Sequence, residues 1–575
     1  MNRTSLLLSL LFLSAAALLL PTFPALVMIL GALLLPWVRE QDRPILVLGL
    51  PLLTLLLIWR LPDDVTLSLQ FLDYSLEPVK ISLVGRLFAT VFAIAAFAGG
   101  LFALRQARLV ELVAAYVYAG GAIGVTLAGD LLTLFVFWEL MALGSTLVIW
   151  ASDTKAAYSA SMRYLLIHLL GGVILMCGIT AHVLVTGSVA FQAMQPDSLG
   201  NWLILIGFLI NAGAPPLSAW IADAYPEASP SGMVFLSVFT TKSALYALLV
   251  GFPGVPLLIP VGLYMAFYGI IYALLENDMR RILAYGIVNQ MGFLVAAVGI
   301  GTPMALNAAA SPASTLAMAL LLMAAGSVLA ATGKRKFTEL RGLSRSMPVT
   351  MFCTIIGGLS LSAFPLTIGY ISKSLATQAV ADTHLPLIWL LLLAASVGVV
   401  LYGGLKFPWS VFFQQDAGLR SPDPPWNRQM AMGLVAVLCI LPGCYPPLLY
   451  ERLPWPVDYQ PYTASHLVST LQLLLFAGLA FVVMLPQFKR TQTITLDFDW
   501  FYRRFGKVLA REFVFGSSKA RENMEQALQW QIRVFIRWLF IHHGPRGRLA
   551  STWPTGSMVL WVAVLLGACL IFYYV

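Results

Sequence analysis

Residues 131–150 read LLTLFVFWELMALGSTLVIW, twenty positions with one ionisable side chain, Glu139, near the centre. At about 1.5 Å per residue, a helix of that length covers the roughly 30 Å hydrocarbon layer of a bilayer, so the run predicts a membrane-spanning helix. A charge at that depth costs several kcal/mol, which makes Glu139 a candidate functional residue. Runs of the same kind fill most of the chain, at 4–20, 22–38, 44–60, 85–104, 110–128, 131–150, 163–187, 201–222, 230–251, 255–275, 281–301, 313–332, 348–378, 386–407, 430–450, 465–486 and 555–574. The expected fold class is an all-α polytopic membrane protein of about seventeen transmembrane helices. Composition agrees: 59% of the 575 residues are apolar and 11% charged, against roughly 25% charged in soluble domains, and the mean hydropathy is +0.84.

The first run shows no small-residue cleavage site before the next, so 1–21 reads as a retained N-terminal helix. Cys177, Cys353, Cys439, Cys444 and Cys569 lie within or at the ends of apolar runs and form no CxxC pair, which reads as buried structural thiols. Alternate loops are basic, with Arg39, Arg43, Arg105, Arg108, Lys155, Arg163, Arg280, Arg281 and the group Lys334, Arg335, Lys336, Arg341 and Arg345 on one side. The positive-inside rule then places the N-terminus in the cytoplasm and, with an odd number of spans, the C-terminus outside a bacterial inner membrane. Most of the net charge of +9 lies between Lys489 and Arg548, where Arg503, Arg504, Lys507, Arg511, Arg533 and Arg537 mix with Phe505, Phe513, Phe515, Trp530 and Trp538. Segment 487–554 therefore reads as a basic amphipathic stretch against the lipid bilayer at the cytoplasmic face, with no nucleic-acid partner.

Three lysines stand inside apolar runs: Lys242 in VFLSVFTTKSALYALLV, Lys373 in FPLTIGYISKSLATQ and Lys406 in LYGGLKFPWSVFF. A buried lysine loses the hydration of its charge and a nearby carboxylate restores it, so moving a counter-ion can switch such a group. The competing reading for Glu139, Lys242 and Lys373 is a structural buried ion pair; for Lys406 it is snorkelling to the cytoplasmic surface. His168 and His182 share one span, and His168 reads either as a proton relay or as a packing histidine. Two spans are broken, one by Pro215 and Pro216 and the other by Pro365 followed by Gly369. Proline frees helix carbonyls, and transporters tolerate such breaks where they line polar cavities. Asn211 in the first broken span is followed by Lys242 in the next, and Lys373 in the second by Lys406, a pattern of two repeats each with its own half-channel.

At these residues the chain resembles a known family. FWELMALGSTLVIW, PPLSAWIADAYPEASP, ENDMRRILAYGIVNQMGF, GKRKFTELRGLSRSMP, LSAFPLTIGYISKS and GLKFPWSVFF are similar to the antiporter-like subunits shared by Mrp-type multisubunit Na+/H+ antiporters, respiratory complex I and membrane-bound hydrogenases. The resemblance covers roughly 25–450, and the tail TITLDFDWFYRR with its final span looks most like the D-type Mrp protein. It implies a core at 22–450 of about fourteen helices in two inverted repeats, near 110–251 and 255–407, with a broken helix in each and a polar axis along the membrane plane. Residues 451–486 and 555–575 would add one span each. By position Glu139 matches the family glutamate that pairs with a broken-helix lysine, Lys242 the lysine of the next helix, and Lys373 the second broken-helix charge. Lys406 falls on the GLKFP motif of D-type relatives. The implied partners are other membrane subunits, paralogous ones included, with H+ and Na+ or K+ as cargo and no cofactor.

The departures are as specific. Asn211 stands where the resemblance expects the first broken-helix lysine, and Ser218 where it expects a histidine. Ala310, Ser314 and Met318 replace two histidines and a lysine. None of these side chains exchanges protons near neutral pH. Three readings follow: a proton- and cation-translocating subunit of a multisubunit antiporter or complex I-like pump; a partly degenerate structural subunit of such a complex; or an energy-coupling subunit for uptake of another solute such as inorganic carbon. A self-contained enzyme is not expected, since HExxH, an iron-sulfur cysteine framework and a nucleotide-binding soluble domain are all missing.

Overall fold

The computed structural model describes residues 12–14, 22–63, 66–340, 342–414, 418–486, 496–544 and 554–574. The expected span 4–20 lies outside these residues, apart from helical positions 12–14. Among the described residues, 13 helices are long and apolar enough to cross a membrane, and shorter apolar helices at Pro24–Trp37, Leu199–Ala212 and Pro348–Leu361 occupy three more expected spans. The chain is thus a polytopic, mostly helical membrane protein. The acidic loop after Arg60 adds a two-stranded antiparallel hairpin, Thr66–Phe71 paired with Tyr74–Lys80.

Local chemistry sets many of the helix ends. Asp130 Oδ1 accepts from Thr133 N at 2.7 Å and starts the helix Leu131–Trp150. Thr154, Ser198, Ser229 and Thr302 cap their helices in the same way, each satisfying a donor that has no partner inside the helix. The Thr154 cap begins Lys155–Thr186 well before the apolar run at 163, so this helix has a basic end that hydropathy does not mark. Gly187, Gly213, Gly301 and Gly333 end helices in the left-handed region, where a side chain would be strained.

The order of elements from Leu109 repeats from Leu258. Two straight helices, Leu109–Leu127 and Leu131–Trp150, are followed by Lys155–Thr186, the broken pair Leu199–Ala212 and Ala219–Ala224, and the pair Pro230–Val238 and Thr240–Gly251. The second set is Leu258–Leu275, Met279–Ile300, Pro303–Ala310 with Ala313–Thr332, the broken pair Pro348–Leu361 and Ile368–Asp382, and Pro386–Val399 running into a π-helical turn at Val400–Lys406. Met279–Ile300 is buried along nearly its whole length, Arg281 and Ile300 excepted. Its approach to Leu258–Leu275 is so close at Gly262, Gly269 and Gly292 that a Cβ would collide with the facing backbone.

Two further breaks lie at Phe239, which no proline marks, and at Ser311–Pro312, where Pro312 stands at the break. The expected correspondence between Asn211 and Lys373 is also corrected. Asn211 ends the half-helix before its break, whereas Lys373 lies in the half-helix after its own. The reading of all five cysteines as buried is corrected too: all are free thiols, but Cys177, Cys444 and Cys569 are exposed on outward helix faces. Residues from Trp500 onward form a separate compact unit containing the 38-residue helix Gly506–His543 and the apolar helix Thr555–Tyr574.

Candidate functional site

Glu139 faces Lys155–Thr186, where its carboxylate fills the space a Cβ would need at Gly172. Its Oε1 is buried without a hydrogen-bond partner. Asn211 lies at the neighbouring Gly171, whose Cβ would stand 3.5 Å from Asn211 Oδ1. Both polar atoms of the Asn211 amide are likewise buried and without a hydrogen bond. The glycine pair therefore brings Glu139 and Asn211 together, with no ion pair to Glu139 among the described residues. His168 sits one turn away, its Nδ1 3.0 Å from Tyr164 O and its ring stacked on Tyr164 at 3.9 Å. Its Nε2 is buried without a partner beside Trp220 of the broken helix. His182 is hydrogen-bonded to Asn201 at 2.6 Å, nearer the helix end.

Lys242 follows directly on the break at Phe239. That break frees Thr240 N, which donates to Tyr118 OH at 2.8 Å, while the Tyr118 and Thr240 hydroxyls lie 2.6 Å apart. Tyr164 OH adds a bond to Ser145 at 2.9 Å. Lys242 itself is 2% exposed, and its hydrogen bond runs 3.4 Å to Thr241 Oγ1. Beside it lies a cavity of about 10 Å³ lined by Phe88, Phe92, Leu294, Ala310 and Ser311 among others.

Lys373 uses the second break. Its Nζ donates to Leu361 O at 3.1 Å, a carbonyl at the end of the first half-helix, and lies 5.2 Å from the centre of the Phe293 ring. It lines a cavity of about 30 Å³ with Gln290, Leu294, Ser314 and Ser360. Cavities of these sizes hold water when polar groups line them. Leu294 lines both the Lys242 and the Lys373 chamber. Ala310 and Ser314, two of the three departures from the family pattern, face these chambers, while Met318 packs against Gly286.

Lys406 lies elsewhere, and the snorkelling reading is corrected. It is 4% exposed, and its ammonium donates to Ala273 O at 3.2 Å, Leu274 O at 2.6 Å and Glu276 O at 2.9 Å. These are carbonyls at the C-terminus of Leu258–Leu275, the negative end of the helix dipole. Pro215, Pro216, Pro365 and Gly369 all lie at the two breaks.

In the sequence Glu139 reads as the one deep carboxylate, but Glu111 and Asp223 are buried as well. Glu111 accepts from Ser229 at 2.8 Å and Ser231 at 2.5 Å. Asp223 takes a two-pronged bond from Arg163 at 2.7 and 2.8 Å. Asn289, Gln290 and Tyr402 form a further buried chain, with Tyr402 OH donating to Asn289 Oδ1 at 3.0 Å and Gln290 Nε2 to the same oxygen at 2.9 Å. Polar residues near predicted span ends give only a faint signal for these groups, since partners so far apart in sequence meet only in the fold.

Residues 128–399 match the family model described as the NADH:quinone oxidoreductase/Mrp antiporter transmembrane region. An uncharacterized protein of Mycobacterium tuberculosis is 30% identical over 63% of this chain and 62% of its own length, so this chain spans about three fifths of that relative. The D-type Na(+)/H(+) antiporter protein of Alkalihalophilus pseudofirmus is 28% identical over 52% of this chain and 66% of its own. Among solved structures, a chain of the Mrp complex from a Dietzia species superposes with a TM-score of 0.75 at 21% identity, covering 96% of this chain and 66% of that one. The matched stretch, residues 128–399, holds the two proline-marked breaks together with Glu139, His168, Asn211, Lys242 and Lys373, and there the chain is similar to the NADH:quinone oxidoreductase/Mrp antiporter transmembrane region.

Proposed function

We propose that this chain is a proton- and cation-translocating subunit of a larger membrane complex, exchanging H+ against Na+ or K+ beside paralogous antiporter-like subunits. The observation that carries the reading is the pair of enclosed lysines, Lys242 and Lys373, one in each half, each beside a water-sized chamber and both chambers bounded by Leu294. An ammonium held by a single hydrogen bond in such a place is costly unless its charge is switched during a cycle. Rotation of Leu294 with entry of water would join the two chambers into one path between the halves. Glu139 and His168 extend the polar line on the Lys242 side, and Lys406 supports it by fixing the end of a helix. The charge bias of the loops supports a bacterial inner-membrane orientation with the N-terminus in the cytoplasm and the C-terminus outside.

A specific observation favours a second reading, a subunit that keeps the fold but conducts poorly. Asn211 leaves Glu139 without its lysine, and Ala310 and Ser314 place no titratable group in the two chambers. One experiment separates the readings. The chain is expressed with its genomic neighbours in cells lacking their own Na+/H+ antiporters, and dye-reported proton movement in everted vesicles is followed on adding Na+ or K+. Loss of exchange in Lys242→Ala and Lys373→Ala, at unchanged subunit amount, supports translocation through this chain. Full exchange in both supports the structural role.

A further inference from the structure

Lys373 borders a second and larger space that the two-chamber path leaves unused. Between Ile368–Asp382, Pro386–Phe413 and Ala464–Met484 lies a cavity of about 370 Å³, lined by Lys373, Ser374, Thr377, Ser396, His466 and Thr470 together with apolar side chains. Its third wall, Ala464–Met484, lies beyond the family match at 128–399. Lys373 is thus common to the inner 30 Å³ chamber and this outer vestibule. His466 stands at the vestibule wall, half-buried, with Nε2 2.8 Å from Ser374 Oγ. The Ser374 hydroxyl gives its one proton to Tyr370 O at 2.6 Å. The bond to His466 must then be donated by the ring, which fixes the proton on Nε2 and leaves Nδ1 as the acceptor. Tyr370 and Tyr459 bound the imidazole at ring-centre distances of 5.4 and 6.4 Å.

Taking the translocation reading as its basis, we infer that His466 is the proton-transfer group between the aqueous phase and Lys373, and that the vestibule holding both is the hydrated end of the second half-channel. A proton arriving on Nδ1 makes the imidazolium, whose Nε2–H stays bonded to Ser374; Nδ1 then returns a proton to cavity water, and Lys373 takes one up from that water. One proton enters and one leaves through Nδ1, and the ring ends in its starting tautomer without another reactant. Serine and threonine hydroxyls line the walls and hold the water chain in place. The fixed Ser374 bond orients the imidazole.

The test uses the full complex in everted vesicles, with exchange normalised to the amount of this subunit. His466→Ala is expected to slow cation-driven proton movement by about 10²-fold, the usual contribution of a positioned acid–base group. His466→Gln keeps a side-chain donor to Ser374 and is expected to be equally slow. Imidazole added to the medium is expected to restore the Ala variant, since the vestibule has room for it, and to leave Lys373→Ala unaffected. Full exchange in His466→Gln, or no rescue of the Ala variant by imidazole, overturns the relay and leaves His466 a packing group. If Lys373→Ala itself exchanges normally, the translocation reading fails, and the relay fails with it.

Discussion

Lys242 is held by one long hydrogen bond to its sequence neighbour, so its ammonium contributes little to folding and is served by whatever enters the small chamber beside it. Replacing a poorly partnered buried charge by an apolar group of similar size is often neutral or stabilising. Lys242→Met is therefore expected to unfold at the same temperature as wild type or above it while exchange falls by an order of magnitude or more. Thermal unfolding in detergent and vesicle transport on the same preparation check the pair of outcomes. Glu111 is the opposite case. Its carboxylate takes two serine hydroxyls inside the protein, and Arg428 is a buried cation on a neighbouring helix. Glu111→Ala is expected to destabilise the subunit by about 3 kcal/mol, because it strands these polar partners. A melting temperature equal to wild type would show that water replaces the carboxylate.

At the scale of elements, the helices that carry function are the irregular ones, and each irregularity has a dedicated partner. Thr240 N at the Phe239 break is satisfied by Tyr118 OH, and Leu366 N at the second break by Tyr462 OH at 3.1 Å. Tyr118→Phe leaves the first of these donors unpaired, with an expected cost of about 1–3 kcal/mol. Because the break sets the direction of Lys242, exchange per subunit is expected to fall as well; a variant that loses stability alone would separate the break from transport. Lys406 closes the end of Leu258–Leu275 with three donated bonds. Lys406→Met is therefore expected to lower the unfolding temperature, with exchange per remaining subunit near wild type. The signs of these breaks differ in the sequence. Prolines at 215, 216 and 365 announce two of them, whereas Phe239 is an ordinary apolar residue whose kink arises from tertiary hydrogen bonding.

Across the whole molecule, the chain returns to its core long after the family match has ended. Asp497, buried, accepts from Tyr268 OH at 2.6 and 2.7 Å and from Tyr285 OH at 2.6 Å, while Tyr272 OH donates to Leu496 O at 3.1 Å. The LDFD stretch thereby clips to the helices Leu258–Leu275 and Met279–Ile300. Asp497→Ala removes the bonds that the two tyrosine hydroxyls donate to a charged acceptor, each worth about 1.5–3 kcal/mol at most. Trypsin cleavage at Arg503 and Arg504 is expected to speed up well before the core is attacked. Equal cleavage rates in the variant and wild type would show that the clip does not hold this segment.

The sequence by itself determined that the chain is a bundle of membrane helices, that two of them are broken, and that Glu139, Lys242 and Lys373 carry charge into apolar surroundings. Hydropathy, helix caps and proline act over one to four residues, so they are written locally. Only the tertiary structure decided which charges share a space. It put Asn211 and Glu139 against one glycine pair without a cation, turned Lys406 from a snorkelling group into a helix cap, and joined Lys373 to His466 across one cavity. These outcomes rest on close approach between helices far apart in the chain, and in hydrocarbon a polar group must settle for whichever partner that packing brings within reach.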